Sequence, residues 1–215
     1  MAISNLSAAQ IGALSTTIID ALSTTEISSL TATQVGAINA SGIEVLDATQ
    51  VGALSATQVK GLTTAQIPHF DDAITISTAQ LQVFSAGQFG ALNTTVITGL
   101  DTTQMGVVSG TQLGALSATN FSSLDDTQVD VLSATQIKGL TATQFKGLST
   151  TDIGEFEATQ VAAFSVTQLG GLSATNFSAL DTTQAAALTT TQVKGLTATQ
   201  LGGLSTTDVG EFSAA

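Results

Sequence analysis

Apolar and polar residues recur along this chain with a period of eight. Residues 54–61, Leu-Ser-Ala-Thr-Gln-Val-Lys-Gly, restate the preceding eight residues almost unchanged. When each octad is numbered from its large apolar residue, positions 1 and 6 are apolar and position 5 is usually Gln. Position 2 is Ser, Thr, Asp or Asn in nearly every octad. The chain is therefore an array of one short unit.

The octad has the residue pattern of a helix N-terminus. A Ser, Thr or Asp N-cap accepts a hydrogen bond from the N3 backbone N–H, and a Gln at N3 reaches back to the N–H of the cap. The apolar residue before the cap packs on the apolar residue at N4. Positions 1, 2, 5 and 6 match N′, N-cap, N3 and N4, so each octad predicts a helix of about six residues.

Short helices of this kind must be stabilised by stacking. A helix shorter than about 12–15 residues is marginal alone in water. We therefore predict an all-α solenoid with one capped helix per octad, and with the side chains of positions 1 and 6 in its core. A β-solenoid is the alternative, since Ser, Thr and Val favour strands.

Glycines at positions 7 and 8 are predicted to end the helices. Gly36, Gly61, Gly139 and Gly195 can adopt the left-handed conformation that closes many helices.

The octad runs through the whole chain with one irregularity. We predict a single solenoid over residues 1–215, with a register break at 68–76, where two apolar starts, Phe70 and Ile76, are six residues apart. Pro68 lacks an N–H and is expected to shorten the helix of its unit.

Composition narrows the classes of partner and location. The net charge is −12 and only four lysines are present, all at position 7, so a nucleic-acid partner is not expected. No run of about 20 apolar residues predicts a membrane span. The chain has no Cys, and its first residues lack the basic and apolar regions of a cleavable signal peptide.

Few residues suggest chemistry, and none of them forms a recognisable catalytic, cofactor or metal constellation. His69 is the sole histidine and has neither a Cys nor a second His to act with. Acidic clusters provide oxygen atoms that calcium prefers, although several of their residues occupy capping positions. These clusters are Asp71 with Asp72, Asp125 and Asp126 with Asp130, and Asp152 with Glu155 and Glu157. We predict that the protein is not an enzyme and has no cofactor, with calcium as the one candidate ligand.

The octad resembles a repeat found in large bacterial proteins. Leu, Ser or Thr, Ala or Thr, Thr or Ala, Gln, then Val or Ile is similar to the Leu-Thr-Thr-Ala-Gln-Val arrays of very large surface or adhesin-like proteins, from residue 6 to residue 211. The opening of a TAL-effector repeat is also similar, but its longer period and base-reading loop are missing. The first resemblance implies a bacterial cell-surface or extracellular location.

These observations lead to an expected function. Neither end of the array carries the polar capping repeat that solenoids usually have. We therefore expect a structural protein that associates with itself through uncapped repeat ends, either as a filament or as an adhesive layer. The alternative is a binding module or stalk for calcium or a protein. Ice binding through Thr-x-Thr runs, such as Thr31 with Thr33 and Thr141 with Thr143, is a further alternative.

Overall fold

The structure, a computed structural model, describes residues 3–70 and 76–213. In this part of the chain the secondary structure is helical and contains no strand. The α-helices have four to six residues, except for the last helix, which has eight. The prediction of an all-α array with one short helix per octad is confirmed, and the β-solenoid alternative is wrong.

Two compact units make up the chain, Met1–Val107 and Val108–Ala215. The described helices of the first unit, besides two 3-10 helices at Ile3–Asn5 and Ile67–His69, are α1 (Ala8–Gly12), α2 (Thr16–Asp20), α3 (Thr24–Ser29), α4 (Ala32–Val35), α5 (Ala40–Glu44), α6 (Ala48–Gly52), α7 (Ala56–Gly61), α8 (Thr78–Val83), α9 (Ala86–Gly90), α10 (Thr94–Thr98) and α11 (Thr102–Val107). The described helices of the second unit are α12 (Gly110–Leu113), α13 (Ala118–Phe121), α14 (Asp126–Asp130), α15 (Ala134–Gly139), α16 (Ala142–Gly147), α17 (Thr150–Gly154), α18 (Ala158–Val161), α19 (Val166–Leu169), α20 (Ala174–Phe177), α21 (Thr182–Ala186), α22 (Thr190–Lys194), α23 (Ala198–Gly202) and α24 (Thr206–Ser213). The octad pattern itself continues past Val108, and the single array over 1–215 stays a prediction.

Within each unit, most helices pack against the helix three places further along. In the first unit α1 packs against α4 and α4 against α7, while in the second unit α12 packs against α15 and α15 against α18. Three octads therefore form one coil of the solenoid, and each octad contributes one of its three sides.

The helices begin as the octad pattern predicts. In α7 the Ser55 side chain accepts a hydrogen bond from the N–H of Gln58, and the Gln58 side chain accepts one from the N–H of Ser55. Most helices in the described residues have this reciprocal capping box. In these helices, residues at the N-terminus satisfy N–H groups that have no partner within the helix.

The core consists of the side chains at positions 1 and 6. Ile137 and Phe145 at position 6 are fully buried, and Leu140 at position 1 is 4% exposed. Four rings pack together in the second unit, with Phe145 in an edge contact 4.8 Å from Phe164 and Phe156 in another 5.1 Å from the same ring. The predicted core is confirmed.

The glycines act through small size rather than through a left-handed turn. No glycine in the described residues has a positive φ, and φ is −65° at Gly36 and −90° at Gly195. The prediction of left-handed helix ends is therefore wrong. The chain leaves α15 where position 1 becomes extended, at Leu140 with φ −68° and ψ 149°. A Cβ at Gly139 would lie 2.3 Å from the backbone of Gly110 in the preceding coil, so the coils approach too closely for a side chain.

Part of the predicted break at 68–76 lies outside the described residues, which omit 71–75. Before that gap, the octad of Leu62 ends in a 3-10 helix at Ile67–His69 instead of an α-helix. Pro68 lies at the start of this helix. The shortening expected from its missing N–H is confirmed.

Successive coils keep the same register although the octad that begins at Phe70 has six residues instead of eight. Gln80 donates to the carbonyls of Val51 and Leu54, which precede it by 29 and 26 residues. The corresponding separations for Gln58 are 31 and 28 residues. One coil is shorter by two residues, yet the contact between successive coils is the same.

Candidate functional site

The glutamine at position 5 links each coil to the coil before it. In α7, Gln58 Oε1 accepts from the Ser55 N–H at 2.8 Å, while Nε2 donates to the carbonyls of Ile27 at 2.7 Å and Leu30 at 2.8 Å. The Gln58 side chain is 3% exposed, so these carbonyls are satisfied away from water. One side chain caps its own helix and bonds the preceding coil.

This double contact is the common feature of both units. It recurs at Gln34, Gln50, Gln66, Gln80, Gln88, Gln144, Gln160, Gln168, Gln184, Gln192 and Gln200. Sequence reasoning assigned these residues only to the capping box. The signal it missed is the preference for Gln over Glu, because both can cap a helix but only Gln has an N–H to donate.

An N-cap asparagine replaces the glutamine contact in two octads that have no amide at position 5. Gly42 stands at position 5 of one octad, and there the N-cap Asn39 donates from Nδ2 to the Leu14 carbonyl at 3.3 Å. Val96 stands at position 5 of another, and its N-cap Asn93 likewise donates to carbonyls of the coil before it. An amide donor to the preceding coil is therefore retained when its position in the octad changes.

A serine replaces the donor in two octads that have Asp at position 5. The Ser122 hydroxyl donates to the Asp152 carboxylate at 2.5 Å, and the Ser178 hydroxyl donates to Asp208 at the same distance. Asp152 and Asp208 are 7% and 8% exposed. The Ser178 hydroxyl and the Ser205 N–H lower the pKa of Asp208 by stabilising its ionised form.

The last described coil leaves its contact surface open. The position 6 side chains Val193, Leu201 and Val209 are 40%, 52% and 56% exposed, whereas such side chains are buried elsewhere in the second unit. Among the described residues, no hydrogen bond to the carbonyls of Leu196 and Leu204 is present, although equivalent position 1 carbonyls accept from glutamine. We call these five residues the acceptor edge.

The first coil presents the opposite kind of surface, formed by its residues at position 5. These are Gln10, Ile18 and Glu26, which we call the donor edge; all three are exposed, and Ile18 is 48% exposed. Gln10 caps Ser7 through Oε1 at 2.8 Å, as the interior glutamines cap their helices. Glu26 accepts from the N–H and the hydroxyl of Ser23 at 2.9 and 2.7 Å, and these bonds lower its pKa.

The His69 side chain pairs with the carboxylate of Glu44 in the preceding coil. Its Nδ1 lies 2.6 Å from Glu44 Oε1, and both side chains are at least one third exposed. No hydroxyl or thiol nucleophile is hydrogen-bonded to this ring in the described residues. The pair has the geometry of a surface contact between α5 and the second 3-10 helix.

Two of the acidic clusters meet on the surface of the second unit. Asp125, Asp126 and Glu155 line an open pocket of about 410 Å³ together with Thr127 and Thr151. Partial burial, followed by the nearby charges of Asp152, Asp126 and Asp125, raises the pKa of Glu155 to about 7. Within the described residues, no group of three acidic, His or Cys side chains is arranged to hold a metal ion.

The remaining candidates occupy capping or solvent positions. Asp130 is exposed at the end of α14, and the Glu157 N–H donates to Gln160 at 2.9 Å at the start of α18. Asp71 and Asp72 lie outside the described residues. Thr31 and Thr141 are N-caps of α4 and α16 rather than members of a flat ladder. Calcium binding and ice binding stay predictions from the sequence alone.

The four lysines, at position 7, are exposed as expected. They are Lys60, Lys138, Lys146 and Lys194. No described helix is both long enough and apolar enough to cross a bilayer.

Comparison with known proteins provides no relative. No protein-family model matches the chain, and no curated protein matches its sequence.

Proposed function

We propose that this chain is a non-catalytic structural repeat protein that associates with further copies of itself through its acceptor edge. The observation that supports the proposal is the combination, at Leu201 and Leu204, of an exposed apolar side chain and a carbonyl that accepts no hydrogen bond from any described residue. In the interior of each unit the next coil covers both features at once.

The acceptor edge needs a partner with the shape and donors of another coil. Inside the second unit, Leu169 at position 6 is 1% exposed, and its carbonyl accepts from Gln200 at 2.7 Å. Burial of apolar surface contributes about 25 cal/mol for each Å² removed from water. A coil in the same register would bury Leu201 and supply amide donors to the carbonyls. Any such coil fits, and a second copy of the chain provides one.

Charge sets the conditions under which copies associate. Each chain carries a net charge of −12, so two copies repel one another at low ionic strength. The Debye length falls from about 30 Å at 0.01 M salt to about 8 Å at 0.15 M. Association should therefore strengthen with salt. The bacterial surface or extracellular location itself rests on the resemblance of the octad, and labelling of intact cells with an antibody against the chain tests it.

The acceptor edge can be tested with a matched pair of substitutions. Leu201→Asp places a charge in the acceptor edge, whereas Val131→Asp places one at an apolar residue that is 39% exposed at the end of α14. Sedimentation velocity over a concentration series, followed by electron microscopy, measures association with and without calcium. We expect the wild type and Val131→Asp to form linear assemblies and Leu201→Asp to remain monomeric. A monomeric wild type at the highest concentration in 0.15 M salt would refute the proposal.

A further inference from the structure

The donor edge departs from the interior pattern at one octad. Interior glutamines at position 5 direct an amide toward the carbonyls of the coil before them, as Gln50 does toward Asp20 and Leu22 at 3.0 and 2.8 Å. Glu26 occupies the same position in α3, which lies directly before α6 in the stack. The Glu26 side chain has two carboxylate oxygens and, unlike that of glutamine, no N–H group to donate.

Glu26 is not required for capping its helix. Gln10 accepts from the Ser7 N–H at 2.8 Å, and Glu26 accepts from the Ser23 N–H at 2.9 Å, so amide and carboxylate form the same capping bond. The two differ in what they offer to a coil placed beneath them. Gln10 offers two N–H groups, and Glu26 offers a negative charge.

We propose that Glu26 restrains the stacking of a second copy on the donor edge and thereby decides how readily copies join. The inference rests on the proposed self-association. In a joined pair, the acceptor edge of one copy brings position 1 carbonyls to the position 5 residues of the next. A carboxylate facing a carbonyl oxygen makes no hydrogen bond, and burial of a charge without a partner is unfavourable.

The rest of the donor edge is compatible with stacking. Gln10 can donate to the incoming carbonyls, as interior glutamines do, and Ile18 adds apolar surface that is 48% exposed in the free chain. Glu26 is thus the residue of this edge that opposes a second copy. The bonds from Ser23 lower its pKa, so the carboxyl group remains ionised near neutral pH.

Glu26→Gln tests the inference because it restores the interior residue and keeps the capping acceptor. Asp130→Asn is the matched control, since it removes one negative charge from an exposed position in the interior of the second unit. The concentration for half-association, measured by sedimentation velocity in 0.15 M salt, should fall about tenfold in Glu26→Gln, which corresponds to about 1.4 kcal/mol. Asp130→Asn should change it much less.

The outcomes separate this inference from the proposed function. If Leu201→Asp abolishes association but Glu26→Gln behaves as the wild type, the restraint is refuted and self-association stands. An equal gain in Glu26→Gln and Asp130→Asn would refute it too, because net charge alone would be responsible. If neither the wild type nor Glu26→Gln associates, both ideas fail. Assembly of Glu26→Gln at concentrations where the wild type is still monomeric, with assembly of the wild type at higher concentrations, would support the restraint. Helical circular dichroism verifies that each variant is folded.

Discussion

The Ser122 hydroxyl and the Asp152 carboxylate lie 2.5 Å apart and join successive coils of the second unit. In octads with glutamine at position 5, that residue donates and the preceding coil accepts. In this pair the direction is reversed, because Asp152 cannot donate and Ser122 in the preceding coil does. The contact between coils therefore requires one donor and one acceptor, but either coil can supply either group.

The first prediction concerns this pair. Ser122→Ala should lower the free energy of unfolding by about 1.5–3 kcal/mol, because a buried carboxylate loses a donor. Adding Asp152→Gln should recover much of the loss, since glutamine at this position donates to carbonyls instead. Urea unfolding followed by circular dichroism measures both. A double variant no more stable than Ser122→Ala would contradict the exchange.

A second prediction separates the two functions of the interior glutamine. Gln144→Glu keeps the capping acceptor for the Thr141 N–H but directs a carboxylate at the carbonyls of Leu113 and Leu116. We expect a loss of about 3–5 kcal/mol in the free energy of unfolding, which is typical of an uncompensated buried charge. Gln10→Glu makes the same chemical change at a residue that faces no coil among the described residues, and should alter stability by less than about 1 kcal/mol. Similar losses in both variants would mean that capping alone explains the glutamine.

Close approach between coils provides a third prediction. Gly139→Ala would place a methyl group 2.3 Å from Gly110 backbone atoms, and should destabilise the protein by about 1–3 kcal/mol. Gly154 also ends a short helix, but a Cβ there meets no atom within 4 Å. Gly154→Ala should be neutral or stabilising by about 0.5–1 kcal/mol. The melting temperature should therefore fall in Gly139→Ala and stay the same or rise in Gly154→Ala.

The fourth prediction compares the core with the helix caps. Phe145 is fully buried and packs against Phe156 and Phe164, so Phe145→Ala should cost about 3–5 kcal/mol. Ser133 caps α15 by accepting from the Gln136 N–H, and Ser133→Ala should cost about 1 kcal/mol. Chemical denaturation resolves the difference. If neither substitution changes the free energy of unfolding, the array of capped helices is excluded.

The raised pKa of Glu155 gives a prediction for pH. Its pKa is about 7 in the folded chain and 4.5 when unperturbed, so the folded state binds more protons between these values. The free energy of unfolding therefore falls as pH rises through this interval, and stays lower above it. Glu155→Gln should raise the melting temperature at pH 8 and leave it unchanged below pH 4. Glu157→Gln, at an exposed residue nearby, is the control for the loss of one negative charge.

Local features of the fold could be predicted because the octad contains both partners. Ser133 and Gln136 lie within one turn of helix, and the sequence alone identifies them as a capping box. The number of octads in a coil depends on contacts between residues that are 28 to 31 apart, such as Gln58 with Leu30 and Ile27. A strict repeat offers the same residue at every multiple of eight, so it cannot indicate which copy is the neighbour.

The candidate surface was predicted less completely than the fold. The lack of polar capping repeats predicts open repeat ends. It does not predict the amide donors between coils, because the octad pattern assigns Gln only to the helix cap. Gly139 was assigned to a left-handed turn for a similar reason. A glycine that avoids a clash with a distant backbone has the same local sequence as one that permits a turn.

The exchange between Ser122 and Asp152 has a consequence for how such a gene changes with time. Ser178 and Asp208 repeat the pair at the same spacing within the second unit. When a duplicated segment includes both residues, the hydrogen-bonded Ser–Asp pair is copied intact, on whichever side of the solenoid the copy lies. Unequal recombination between near-identical octads can therefore lengthen or shorten the chain without leaving a buried charge unpaired, and mutations that split a pair are the ones selection would remove.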